Sequence, residues 1–500
     1  MAISVLGILR NSIKFSAVQA IAVLIGAPVA IYVATILSPE KYGVYGFLGL
    51  WLSYAGLIGP GITWAAQREV PVLLGNGEGE KASAVQNVSI SAEMLFAIIP
   101  FVGILAASFF FSDPILRLGL IIVAATYLVG KLASLWSQMN FVRQKFNIVA
   151  VGNLIVAILT PLVAVVSIKS LGVYALLIAP LIASAVTFIY YLKRGSIHYR
   201  FAFGRTEILR LIKVGIFIQG LALVFWAFRL TDRTIIASEL PLEQLGLYTY
   251  AMAFLMYALT IPNDFGNVLQ PILYREAAKA DSVHKGFGDT KRLTVYLALG
   301  ASIAIPLAQL IYYLIIKLIT VKYVGSIPIF HVLSYNLYLT SIALVPGIIL
   351  TSSFVNKQQA VFFLYLGGLA LNVIFGLLVI RLGYGVVGIA WVTICTQGLV
   401  TLITYILTKG YIFENTKEFL KFLARIILPF LITIPFYFFH DYLSSITSKM
   451  WEFAGLSLAA QAIVWSLTIG IFYRDYLSIN HIKAVMREVN IPALLRLRRR

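Results

Sequence analysis

Apolar stretches about twenty residues long recur along the whole chain, separated by short polar joints. Read by the length a helix needs to cross a bilayer, they predict about fourteen spans. These fall near 15–37, 43–66, 86–111, 115–137, 148–168, 173–192, 214–237, 246–271, 293–316, 329–353, 360–380, 386–408, 424–439 and 453–473. The pattern therefore predicts an all-α polytopic membrane protein.

One stretch breaks the apolar pattern at its centre. Leu221–Ile236 reads LALVFWAFRLTDRTII and carries Arg229, Asp232 and Arg233 inside the seventh span. Their i, i+3, i+4 spacing puts all three on one helical face, with Phe225 one turn earlier. A charge at mid-bilayer costs roughly 2.5–3.5 kcal/mol on insertion scales and faces a bundle interior or a wet cavity. The cluster nets one positive charge, so it predicts a cavity lining for an anionic group. A local Arg229–Asp232 pair with Arg233 reaching outward is the plainer reading. The eighth span adds Pro262, Asn263, Asp264, Asn267 and Gln270. Asn263, Asn267 and Gln270 form a polar stripe at i, i+4, i+7. Asp232 and Asp264 are the candidates for ion coupling.

Lys and Arg alternate in density between loops. Residues 193–213 hold Lys193, Arg194, Arg200, Arg205, Arg210 and Lys213, and 474–500 end in Arg498, Arg499 and Arg500. The opposite loops hold scattered cases such as Lys41, Lys169 and Arg381. The positive-inside rule then places both termini in the cytoplasm, and makes the net charge of +19 an orientation signal rather than a nucleic-acid footprint. The basic tail is a candidate for lying on an anionic leaflet.

A repeat is legible. Leu37–Leu48 (LSPEKYGVYGFL) returns as Leu240–Ala251 (LPLEQLGLYTYA), with Glu40, Gly43 and Tyr45 matching Glu243, Gly246 and Tyr248. Arg68-Glu69 matches Arg275-Glu276, Phe141-Val142 matches Phe354-Val355, and Leu171-Gly172 matches Leu382-Gly383. The unit is about six spans, an even number, so both copies share one orientation and are related by an axis along the membrane normal. This predicts a six-helix bundle over 1–192, a basic linker over 193–213, a second six-helix bundle over 214–408, two extra helices within 409–473 and a basic tail over 474–500. A substrate site is expected at the seam between the bundles, lined by spans one, two, seven and eight. Span two carries Gly59-Pro60-Gly61 there.

Composition agrees: 60% of residues are hydrophobic and 12% charged, against about a quarter charged in soluble proteins. The single cysteine, Cys395, offers neither a disulfide framework nor a cysteine metal site. The N-terminus reads as an amphipathic lead-in rather than a signal peptide. Gly75–Ser83 has the wrong spacing for a phosphate-binding loop. No two of the five histidines have helical metal-ligand spacing. No cofactor or metal is expected. Lys131 and Glu93 are placed to snorkel or to pair.

The segments LSPEKYGVYGFLGLW (from Leu37), TDRTII (from Thr231) with LGLYTYA, and LGYGVVGIAW (from Leu382) resemble the polysaccharide-transport branch of the multidrug/oligosaccharidyl-lipid/polysaccharide exporter superfamily. The resemblance implies two six-helix bundles around a V-shaped cleft. It also implies a flippase, not an enzyme, moving a polyprenyl-(pyro)phosphate-linked oligosaccharide from the cytoplasmic to the outer leaflet of the plasma membrane. Its cationic cleft would map onto Arg229, Arg233, Arg68 and Arg275, with Asn263, Asn267 and Gln270 as further substrate contacts. Arg suits phosphate because its guanidinium donates bidentately. Phe225, Trp226, Tyr248 and Tyr250 are candidates to stack on sugars. The implied partners are the lipid-linked oligosaccharide and membrane lipids, without nucleic acid. Other readings of the same fold are a cation-coupled multidrug-type antiporter and a gradient-independent lipid scramblase. A sugar polymerase or ligase would call for larger outer loops than this chain has.

Overall fold

The computed structural model describes residues 5–195, 197–279, 290–352, 354–447 and 449–474. The basic tail and the side chains of Arg275 and Glu276 lie outside the described residues. The first half contains α1 (Val5–Ile36), α2 (Pro39–Leu57), α3 (Ile62–Gly75), α4 (Gly79–Ser108), α5 (Pro114–Val142), α6 (Phe146–Leu171) and α7 (Tyr174–Arg194). The second contains α8 (Arg205–Glu239), α9 (Leu242–Lys279), α10 (Thr290–Leu318), a 3₁₀ turn (Val321–Ser326), α11 (Ile327–Thr351), α12 (Gln358–Arg381) and α13 (Gly385–Ile412). Two further helices, α14 (Thr416–Ile446) and α15 (Met450–Phe472), close the described chain. Among the described residues, twelve helical segments are long and apolar enough to cross a membrane. The shorter apolar run of α1, Ile21–Ile36, and the α2–α3 pair complete the set that the apolar pattern predicts.

Helix starts follow local chemistry. Ser38 caps α2 by accepting from the Lys41 N–H at 3.3 Å, with Pro39 at the first helical position. Asp113 and Pro114 start α5 the same way. The repeated Leu-Gly dipeptides are also explained: Gly172 and Gly383 have φ of 54° and 82°, the left-handed region where glycine carries no side-chain penalty.

The expected second span is not one helix. α2 stops at Leu57 and α3 restarts at Ile62, because Pro60 has no N–H to donate and disfavours helical backbone at Gly59. Gly61 turns the chain at φ 77°. A Cβ there would fall 2.6 Å from the Gly215 carbonyl oxygen on α8, so the close approach of α3 and α8 also requires glycine. The matching segment of the second half, α9, runs unbroken through Pro262 and Pro271.

The halves repeat one packing scheme. α1 packs on α6, α6 on α7, α7 on α5, and α5 on α4; correspondingly α8 packs on α12, α12 on α13, α13 on α11, and α11 on α10. Between the halves, α2 lies along α9 and α3 against α8. The 3₁₀ turn ties the second half to the end of α1: the Tyr323 hydroxyl donates to the Leu37 carbonyl at 3.1 Å and Lys322 Nζ to the Thr35 carbonyl at 3.0 Å. At the opposite end, Arg210 of α8 bridges to Glu69 of α3 at 2.7 Å. α14 and α15 sit outside the repeat against α10, where Tyr313 stacks on Phe453.

Candidate functional site

Three adjoining chambers lie between and within the bundles. The largest, about 530 Å³, is enclosed mainly by α8, α9, α11, α12 and α13, and Arg229 lines it. A second, about 430 Å³, is formed by α2–α5, α7 and α8 around Glu93 and Lys131. A third, about 350 Å³, lies along the α2–α9 seam and is lined by Arg233. Each is of the size that ligand pockets have.

The charged triplet of α8 is divided among these spaces, although its members share one helical face. Arg229 sits over the Phe225 and Trp226 rings at 5.4 and 5.8 Å, a cation–π arrangement that orients the guanidinium without neutralising it. Asp232 is 3% exposed. Its Oδ1 accepts the Arg233 backbone N–H at 2.7 Å, and the Tyr248 hydroxyl donates to its Oδ2. Arg233 Nε lies 4.0 Å from Asp232 Oδ1 and points toward the seam chamber. Asp232 thus belongs to Tyr248 and Arg233, and the plainer reading of an Arg229–Asp232 pair does not hold. Gly368 and Gly376 let α12 close on Phe228 and Ile235, and the fully buried Asn372 lies between those two contacts.

The polar stripe of α9 is brought to the Arg229 chamber in part. Asn263 and Gln270 line it, whereas Asn267 and Asp264 are not among its lining residues. Gln270 Nε2 also donates to the Tyr274 hydroxyl at 3.0 Å. The Arg229 chamber is therefore mostly a feature of the second bundle, with Trp64 of α3 as its contribution from the first. A seam lined by spans one, two, seven and eight, as the sequence leads one to expect, is found in the third chamber, where Ala30, Tyr42, Arg233 and Thr249 come together, and not in the Arg229 chamber. Arg68 is exposed midway along α3, outside the lining of the three chambers, and its neighbour Glu69 is engaged by Arg210. Tyr248 and Tyr250 are fully buried. Tyr250 packs in an aromatic cluster with Tyr42 and Tyr323, so both tyrosines serve packing and support rather than a ligand face.

The Glu93 chamber is more polar than that of Arg229. Lys131 Nζ donates to Glu93 Oε2 at 2.8 Å, and the Thr63 N–H, one of the free donors at the start of α3, reaches Glu93 Oε1 at 3.2 Å. The helix break thus places a helix N-terminus at this carboxylate, where the dipole favours negative charge. Trp64, the next residue, borders both this chamber and that of Arg229. The sequence signal for Trp64 was its position just beyond Gly59-Pro60-Gly61.

Sequence comparison decides the family: residues 32–326 match the polysaccharide biosynthesis protein family. The chain belongs to that family. No curated protein matches it. Among solved structures, the fold is similar to the lipid II flippase MurJ in an inward closed conformation, with TM-score 0.66 and 16% identity over 93% of this chain and 99% of that one. It is also similar to a multidrug resistance MATE family transporter of the MOP superfamily in an inward-facing conformation, with TM-score 0.58 and 14% identity over 83% and 95%. A MOP superfamily transporter from Pyrococcus furiosus, described as having a binding pocket of reverse polarity, gives TM-score 0.59 and 14% identity over 84% and 96%. At these identities the likeness is one of fold. This member of the polysaccharide biosynthesis family is a multi-pass membrane protein built on the two-bundle fold of those transporters.

Proposed function

We propose that the protein is a flippase that carries a polyprenyl-(pyro)phosphate-linked oligosaccharide from the cytoplasmic to the outer leaflet for surface polysaccharide or glycan assembly. It works by alternating access of its two bundles in the plasma membrane, with both termini in the cytoplasm. The observation that carries this reading is Arg229. Its guanidinium lines a 530 Å³ chamber, while the acid one turn away is occupied by Tyr248 and Arg233. A cation so placed attracts a phosphate group while lipid tails stay outside. Arg233, Asn263 and Gln270 are proposed as further contacts along the path, and Asp232 as the coupling acid. Arg68, Arg275, Asn267 and Asp264 have no role in this proposal.

A cationic drug as cargo is disfavoured by the same geometry. The acids lining the chambers, Glu93 and Asp232, are both engaged by neighbours.

The test is transport by purified protein in liposomes, using a fluorescent undecaprenyl-pyrophosphoryl sugar whose leaflet is read by a membrane-impermeant quencher. Arg229→Gln should abolish movement at normal protein abundance, and Arg229→Lys should retain part of it. Movement at the wild-type rate by Arg229→Gln would overturn the reading.

A further inference from the structure

The Glu93 chamber has a different chemistry from the Arg229 chamber it adjoins. Its two charges neutralise one another across 2.8 Å, leaving a lining without net charge. Around them stand hydroxyl and amide groups: Thr126, Ser134, Gln138, Ser184 and Gln219. The two chambers meet at Trp64 and Trp226, which line both. These indoles are 40% and 48% exposed, unlike a packed core tryptophan such as Trp136. Trp64 is held in place by its own nitrogen: Nε1–H donates to Gln219 Oε1 at 3.1 Å, and Gln219 Nε2 donates to the Leu57 carbonyl at 2.8 Å. That carbonyl is one of the free acceptors left where α2 breaks. Trp226 is in cation–π contact with Arg229.

We propose that this polar chamber is the sugar subsite of the cleft, with Trp64 and Trp226 as stacking platforms at its mouth. A pyranose offers an apolar C–H face and a rim of hydroxyls. The first fits an exposed indole, and the second fits uncharged amides and hydroxyls around a neutralised ion pair. The order of groups along the cleft also matches the order within the cargo. Arg229, for the phosphate, is in contact with Trp226, for the first sugar, and the polar chamber lies beyond for the next. This inference rests on the lipid-linked saccharide reading above and assigns its parts to two chambers.

The test is equilibrium binding to the full-length detergent-purified protein. One probe is N-acetylglucosaminyl-pyrophosphoryl-undecaprenol, and the other is undecaprenyl pyrophosphate, which lacks the sugar. Trp64→Ala and Trp226→Ala should each weaken the glycolipid about tenfold, the size of a ring contact of about 1.5 kcal/mol. Trp64→Ala should leave undecaprenyl pyrophosphate unchanged, Trp226→Ala, whose indole also orients Arg229, should weaken it less than the glycolipid, and Trp64→Phe should restore part of the glycolipid affinity. Arg229→Gln should weaken both lipids. If the Trp variants, with wild-type melting, bind the glycolipid as wild type does while Arg229→Gln weakens both lipids, the sugar subsite is overturned and the flippase reading stands. Equal loss of both lipids in the Trp variants also overturns the subsite. If wild type binds neither lipid, the flippase reading itself fails, and the subsite with it.

Discussion

Gly43 and Gly246 face each other where the two halves of the repeat meet. A Cβ on Gly43 would fall 1.7 Å from the Leu242 carbonyl oxygen, and one on Gly246 would fall 1.7 Å from the Pro39 carbonyl oxygen. One turn on, Gly46 meets Thr249, its own counterpart in the repeat. α2 and α9 therefore run side by side in the same direction and in register. Equivalent residues touch across an axis along the helices, which is what two bundles of the same orientation require. Small residues permit this approach of backbones in a membrane, where packing rather than the hydrophobic effect holds helices together.

Gly43→Ala and Gly246→Ala should each prevent correct assembly, because the obstacle is backbone and has no rotamer to yield. The cost should reach or exceed the upper end of the 1–3 kcal/mol typical of overpacking, roughly. Monodisperse yield and melting temperature of the purified variants check this. Gly49, with nothing within 4 Å of its would-be Cβ, is the control and should tolerate alanine.

The Glu93–Lys131 pair should behave as a buried pair does. Lys131→Met alone should destabilise by about 3–5 kcal/mol, since it leaves a 2% exposed carboxylate without its cation. Glu93→Gln combined with Lys131→Met should recover most of that loss. The four melting temperatures of this cycle are the measurement. Additive losses would show that the two groups do not depend on each other.

Cysteine labelling should separate the positions of α9 that line the chamber from those buried in the bundle. In a Cys395→Ser background, needed because Cys395 is exposed, Asn263→Cys and Gln270→Cys should react with a water-soluble thiol reagent. Leu255→Cys and Leu259→Cys on the same helix should not, since both positions are buried. Equal labelling at all four would contradict the chamber.

The bridge from Arg210 to Glu69 and Glu207 joins α8 to α3 at partly exposed positions. Arg210→Ala should lower stability by no more than about 1 kcal/mol, and the difference from wild type should shrink as salt is raised. Glu69 thus pairs with Arg210, a residue of the stretch that the sequence marks as the basic linker.

Much of this protein follows from local rules that the sequence obeys one segment at a time. A bilayer has no water to satisfy exposed backbone, so each span must be a helix, and its length and apolar content are readable directly. The repeat is equally readable, because both bundles solve one packing problem with matching residues, such as Glu40, Gly43 and Tyr45 against Glu243, Gly246 and Tyr248. Even the oddity of charge in the middle of α8 announces itself. Helical spacing, however, gives only a residue's direction around its own axis, and neighbouring helices decide what that direction faces. Arg229 and Arg233 share one face of α8, yet the indole of Trp226 and the carboxylate of Asp232 send them into different chambers. Tyr248 looks like a free aromatic in the sequence and is spent on Asp232. Trp64 and Glu93 acquire their place from the break at Gly59-Pro60-Gly61, which divides one expected span into two helices and sets a helix N-terminus inside the protein. Those outcomes depend on which helices pack together, and that is a property of the assembled bundles rather than of any one segment.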